Sequence, residues 1–314
     1  ACGSPPCVGS GNGRSTSPTV SRDGRLIAFQ SVAGDLTIPA HSPDYRVFVW
    51  SAQTKTTALV SVDVGGNPAD GLSFLPEISG DGRFVVFQSV STDLTDPDHG
   101  IFATYTYVRD LVQQNTEMVS ILPSGAKINT RLSANRISNE GRFVTFLAVT
   151  NDLYLRDRDA ETTELVSVTT DGGAANQRAY VRGLSDDGRF VLFASKADNL
   201  VANDTNQTWD LFIRDMWLGE TKIVNRRQDG DQSITEDSGR LSADGSLIAV
   251  STATSSFAPG VSETGSVYLA QNPFMDHLPT AVDDSFVVNA PGVLNGNVLT
   301  PGQGWQGDFA GGSE

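Results

Sequence analysis

The chain has 314 residues, with 22 Lys and Arg against 37 Asp and Glu and a formal net charge of −15 at pH 7. That balance excludes a nucleic-acid binder, which needs a basic face, and it favours solubility and cation binding. No apolar run approaches the roughly 18 residues of a membrane span, and Ala1-Cys2-Gly3 is no initiator sequence, so the chain is expected to be processed or cut.

Residues 1–16 form a Gly-, Ser- and Pro-rich N-terminal segment without apolar periodicity. It holds Cys2 and Cys7, the two cysteines of the chain. They read as a short disulfide loop and an oxidising compartment, with two free thiols on a loose terminus as the other reading. Gly11-Asn12-Gly13 resembles the later linkers Gly65-Gly66-Asn67 and Gly172-Gly173-Ala174-Ala175-Asn176. The chain is therefore expected to begin just after a fourth strand that it does not itself contain.

From residue 17 to residue 274 one unit recurs five times. Its turn is Ser21-Arg22-Asp23-Gly24-Arg25, Ser79-Gly80-Asp81-Gly82-Arg83, Ser138-Asn139-Glu140-Gly141-Arg142, Ser185-Asp186-Asp187-Gly188-Arg189 and Ser242-Ala243-Asp244-Gly245-Ser246. The glycines are 58, 59, 47 and 57 residues apart, and five positions on stand Phe29, Phe87, Phe146, Phe193 and Val250. A repeat of this period points to stacked units. Each unit reads as four short strands. The first ends at Val20, Ile78, Ile137, Leu184 or Leu241, and Asp-Gly then makes a tight hairpin in which Gly takes positive φ. The second strand runs Leu26 to Phe29, Phe84 to Phe87, Phe143 to Phe146, Phe190 to Phe193 and Leu247 to Val250; being apolar on both faces, it should be covered on both. The third is centred on Phe48, Tyr107, Tyr154, Phe212 and Tyr268. The fourth is Leu59 to Val62, Met118 to Ile121, Leu165 to Val168 and Ile223-Val224. The fifth unit has none, because Pro273 and a polar run stand in its place. The Arg-Asp pairs that end the third strand (Arg109-Asp110, Arg156-Asp157, Arg214-Asp215) are expected to form salt bridges between blades or in turns.

Four-stranded units that are apolar on both faces predict an all-β chain folded as a β-propeller of five blades. A six-bladed ring, its last blade completed by the tails or by another chain, is the alternative. A β-sandwich would need strands apolar on one face and no fixed repeat. The motifs S-x-D-G-R-x-apolar-x-F, N-D-T-N-x-x-x-D-L-F-I-R-D and T-x-x-V-S resemble the TolB-like repeat, also called PD40 or WD40-like, over about residues 17–271. The resemblance implies a propeller that is secreted, periplasmic or surface-attached, and either a binding platform or a domain joined to a hydrolase. Residues 275–314 read as a tail, and Pro279 to Leu294, with its Asp283-Asp284 pair, resembles the opening strand of bacterial cadherin-like surface domains.

Catalytic motifs are missing from the sequence. His41, His99 and His277 have no metal spacing, and no Gly-x-Ser-x-Gly elbow occurs. The suggestive stretch is Asn203 to Asp210, where Asp204, Asn206 and Asp210 offer oxygen at spacings suited to Ca²⁺. An Asx-turn loop is the other reading. The long loops between strands two and three mark one face as the recognition face. Two functions stand open. One is a non-catalytic module at the cell surface, in the periplasm or outside the cell, binding protein or surface glycan. The other is a hydrolase or lyase of extracellular polysaccharide with carboxylates in the propeller funnel. The tail strand Ser285-Phe286-Val287-Val288 is expected to pair with the open edge of blade five, within the chain or in a neighbouring one; repeated donation would give a filament.

Overall fold

The computed structural model describes residues 11–37, 44–95, 103–204, 207–224, 239–251, 267–275, 286–289 and 293–294. Cys2, Cys7, His41, His99, Asn206, His277 and Ser285 lie outside the described residues, and so does the disulfide reading. Among the described residues every regular element is a strand and none is a helix.

The chain divides into two compact units, Ala1–Ser167 and Val168–Glu314. In the first unit, β1 (Ser15–Val20), β2 (Leu26–Ser31), β3 (Arg46–Ser51) and β4 (Thr57–Leu59) form an antiparallel sheet in chain order. β5 (Ser73–Ile78), β6 (Phe84–Ser89), β7 (Tyr105–Asp110) and β8 (Asn115–Met118) repeat it, and β9 (Phe143–Leu147), β10 (Leu153–Asp157) and β11 (Thr162–Leu165) form a three-stranded third sheet. In the second unit, β12 (Ala179–Leu184), β13 (Phe190–Ser195), β14 (Asp210–Asp215) and β15 (Glu220–Ile223) form a fourth. The fifth sheet runs β16 (Arg240–Leu241), β17 (Leu247–Ser251), β18 (Val267–Gln271), β19 (Phe286–Asn289) and β20 (Val293–Leu294).

The second and third strands carry the core. β6 and β13 are buried at every position. The repeated aromatic stacks on its partner across the ladder: Phe29 on Phe48, Phe87 on Tyr107, Phe146 on Tyr154 and Phe193 on Phe212, with ring centroids 5.4–5.9 Å apart. Such a pair adds about 0.5–1.5 kcal/mol beyond its buried area.

Three local expectations are corrected. The turn is longer than a two-residue hairpin. The Ser21 amide bonds the Leu26 carbonyl, the Gly24 amide bonds the Ser21 carbonyl, and the glycine closes the turn at φ 71°. Ser21 Oγ donates to Asp23 Oδ1 and accepts from the Leu26 amide, while Asp23 Oδ1 also accepts from the Arg25 amide. This clasp recurs at Ser79, Ser185 and Ser242, which explains Ser and Asp as well as Gly. The fourth strands end where they were expected to begin, at Leu59, Met118, Leu165 and Ile223. The following Val-Ser folds inward instead: the hydroxyls of Ser61, Ser120 and Ser167 accept the amides of Val47, Thr106 and Leu153 at the head of strand three. Blade three has no regular first strand, only the isolated bridges Thr130↔Ala148 and Ile137↔Val144. There the Thr145 hydroxyl takes the Arg136 amide, where a ladder would use a carbonyl. The edge of β18 is taken by β19, through Val267↔Val288, Tyr268↔Val287 and Leu269↔Phe286.

The first strands are bulged. β1 shifts register between Thr16 and Thr19, with Ser17 at φ 53°, and β5 between Phe74 and Glu77, with Leu75 at φ 50°. Pro18 and Pro76 follow those residues, where a missing amide leaves no ladder bond unmade.

Candidate functional site

Strand order gives each sheet two ends. At one end lie the Ser-x-Asp-Gly-Arg turns, and consecutive blades are joined there. In the first unit the Arg22 amide donates to the Gly80 carbonyl and the Asp81 amide to that of Asn139; in the second, the Asp186 amide donates to that of Ala243. The turn glycines also seat the preceding blade. Gly82 lies on Leu26, Gly141 on the Phe84 ring and Gly245 on the Phe190 ring.

The Arg-Asp pairs part company at this end. Asp110, Asp157 and Asp215 accept from Arg83, Arg142 and Arg189 of their own blade's turn, with N–O distances of 2.6–2.7 Å. Arg109, Arg156 and Arg214 reach instead to Thr116, Thr163 and Thr221 on the neighbouring strand. These bonds run within a blade. Burial pushes the carboxyls of Asp110 and Asp215 up, but the guanidinium and two backbone amides more than offset it and hold them below the usual range. For Asp157 the Arg142 hydrogen bond is the largest cause of the same lowering. These groups are structural braces.

The opposite end carries the linkers and the loops between strands two and three. There the sequence places Asp204, Asn206 and Asp210, on the loop of blade four. Asp204 and Asp210 are 7 % and 1 % exposed, one on each side of residues 205 and 206. Among the described residues no group of three or more His, Cys, Asp or Glu is placed to hold a metal ion.

The same loop brings together a second group, which composition and motif did not reveal. Trp209 leans on Tyr180 of β12, with ring centroids 5.7 Å apart and planes tilted by 56°. Lys196, at the end of β13, places Nζ 5.2 Å from the Trp209 ring centre. The guanidinium carbons of Arg178 and Arg182 stand 5.4 and 5.6 Å from the Tyr180 ring centre. Lys196 is exposed, Arg178, Tyr180 and Trp209 are half-buried, and Arg182 is buried. Three cations thus gather around two aromatic rings in a chain of net charge −15. The alternation Arg178-x-Tyr180 at the start of a strand, which puts both on one face, is the signal that could have found it.

No protein-family model and no curated protein matches the sequence. Solved structures do. An oligogalacturonate lyase in complex with manganese has TM-score 0.52 and 12% identity over 84% of this chain and 65% of that one. TolB from Acinetobacter baumannii has TM-score 0.48 and 15% identity over 84% of this chain and 53% of that one. A putative TolB from Agrobacterium tumefaciens has the same TM-score and identity, over 84% of this chain and 79% of that one. The chain thus spans about half the length of the first TolB and just under two thirds of the lyase. At these identities the likeness is one of fold. Together with the five in-phase copies of the turn motif, it makes this chain a β-propeller.

Proposed function

We propose that the chain is a non-catalytic binding module at the cell surface, in the periplasm or outside the cell, and that its blade-four loop end takes an anionic saccharide. The observation that carries the reading is the Arg178, Tyr180, Arg182, Lys196 and Trp209 cluster. Aromatic faces stack on the C–H face of a pyranose, and Arg and Lys select its carboxylate. The name of the lyase of similar fold, which specifies oligogalacturonate, supports the ligand class. The buried Asp204 and Asp210 support a Ca²⁺ ion in the same loop, with Asn206 as a third oxygen ligand. The β19 pairing supports completion of blade five by the chain's own tail, with strand donation to a neighbour as the competing arrangement.

The lyase fold also favours a second reading, an extracellular polysaccharide-active hydrolase or lyase. One titration separates them. Oligogalacturonate is added while Trp fluorescence and heat are followed, with a neutral oligosaccharide of equal length as control. The binding reading expects saturable, salt-sensitive binding of the acidic ligand alone, lost in Trp209→Ala and Tyr180→Ala, with no change in oligosaccharide length. Shortened products would establish the second reading, and equal affinity for the neutral ligand would overturn the choice of ligand class.

A further inference from the structure

At the loop end, three linkers are clasped to the loop between strands two and three of the blade that follows, and the clasp has one plan. In blade one the Asn12 amide donates to Asp35 Oδ1 (2.8 Å), and the Gly34 amide donates back to Asn12 Oδ1 (2.9 Å). In blade four the Asn176 amide donates to Asn199 Oδ1 (3.0 Å), and Asn176 Nδ2 donates to Asp198 Oδ1 (2.6 Å). In blade two the Asp70 amide donates to both carboxyl oxygens of Asp93 (3.1 and 3.0 Å), while the Thr92 amide and hydroxyl donate to Asp70 Oδ1 and Oδ2 (2.8 and 2.5 Å). The partners stand 23 residues apart each time.

The chemistry of the three differs at one point. Blades one and four have a side-chain amide in the linker, which can face a carboxylate without repulsion. Blade two has a carboxyl in both places. Two carboxyls held together cannot both ionise cheaply, and a shared proton relieves the repulsion. We infer that Asp70 and Asp93 form a proton-linked clasp, which in acid holds the blade-two loop to the linker and which loosens when the shared proton leaves.

The surroundings support that assignment. Asp93 is pushed above the usual carboxyl range by burial first; the Asp70 amide opposes the rise, and the charge and side chain of Asp70 add to it. Burial raises Asp70 too, but the hydroxyl and amide of Thr92 and the hydrogen bond from Asp93 together bring it below its ordinary value. From β7, Tyr107 faces the pair with Tyr105 beside it, and burial raises the Tyr107 hydroxyl far beyond the acid range. From β3, the Arg46 guanidinium bonds the Ala69 carbonyl beside Asp70. In the linker, the Asp63 carboxylate accepts from Asn67 and the Gly65 amide. The Asp63 carboxyl is lowered by its own hydrogen bonds.

The sign follows from the raised group. The contribution of Asp93 is complete below the unfolded Asp value, about 3.9, and is lost as pH rises through its folded value. The test is a carboxyl NMR titration of Asp93, with amide hydrogen exchange at Thr92, in the parent chain, Asp70→Asn and Asp93→Asn. Asp70→Asn rebuilds the amide-carboxyl clasp of blade one. The parent is expected to show Asp93 titrating above the ordinary range, with Thr92 protection lost over the same interval after correction for intrinsic exchange. Asp70→Asn should bring Asp93 down and keep Thr92 protected throughout, and Asp93→Asn should also abolish the pH dependence. An Asp93 midpoint at or below the ordinary value in the parent overturns the inference. So does Thr92 protection that varies with pH equally in the parent and both variants.

Discussion

Alanine placed at the turn glycines separates backbone strain from contact between blades. Gly24, Gly82, Gly141 and Gly245 hold φ between 71° and 78°, so every Gly→Ala change carries the same left-handed strain, about 1 kcal/mol. What the new methyl meets differs. At Gly24 nothing lies within 4 Å. At Gly82 the nearest atom is Leu26 Cδ1, at 3.0 Å, the free end of a side chain that can turn aside. At Gly141 the methyl overlaps the Phe84 ring, with Cγ at 2.6 Å and Cε2 at 2.8 Å, and at Gly245 it stands 2.5 Å from Phe190 Cδ2. Phe84 has little room to yield, because Arg158 and Arg83 stack against its ring at 4.5 and 4.8 Å. Overpacking of this kind costs a further 1–3 kcal/mol or so. Urea unfolding should therefore rank the variants: Gly24→Ala near 1 kcal/mol, Gly82→Ala slightly more, and Gly141→Ala and Gly245→Ala about 2–4 kcal/mol. Phe84→Leu should recover part of the Gly141→Ala loss in a double-mutant cycle. Equal losses at all four sites, or no coupling to Phe84, would refute the seating of one blade on the next.

The remaining predictions concern charge, metal and tail. Asp215→Asn leaves Arg189 without its buried carboxylate and should lower stability by about 2–3 kcal/mol at neutral pH, read by urea melts. Asp110, Asp157 and Asp215 are lowered in the fold, so their contribution is present above the unfolded Asp value and disappears as pH falls through the folded values; the melting temperature should drop below about pH 4, and a flat profile there would contradict the bracing role. Ca²⁺ added to EDTA-treated protein should raise the melting temperature, and Asp204→Asn with Asp210→Asn should abolish the rise; no shift at millimolar Ca²⁺ would favour the Asx-turn loop. Truncation after Met275 removes β19 and β20. Closure within the chain expects a less stable protein of unchanged oligomeric state by light scattering, whereas strand donation expects loss of assembly.

The parts legible in the sequence are those whose signal is local and repeated. Gly at the turns needs positive φ, and Phe87 or Phe193 needs a partner across the ladder; each demand fixes a residue type at a fixed spacing. The fourth strands were misplaced because their own residues, such as Asn115 to Met118, are polar and lie at an edge, while the apolar Val119 beside them belongs to the inward fold. The bulges were missed because Pro18 and Pro76 read as strand breakers rather than as residues placed where an amide is not wanted. The aromatic and cationic group of blade four joins three segments, and only the Arg178-x-Tyr180 alternation hints at it; Lys196 and Trp209 are brought to it by the fold. The carboxyl pair of Asp70 and Asp93 is similar: among 37 acidic residues, only the geometry singles out two.

The joints between turns have a consequence for how such a chain grows. Donor and acceptor are both main-chain groups, and the residues at the place between Ser and Asp or Glu are Arg22, Gly80, Asn139, Asp186 and Ala243, which share no side-chain chemistry. A newly duplicated blade therefore carries a working socket and plug from the moment it appears. The hydrogen bonds of the joint ask little of the side chain there, so what a new blade must still match is the seat of its turn glycine on the ring or leucine of the blade before.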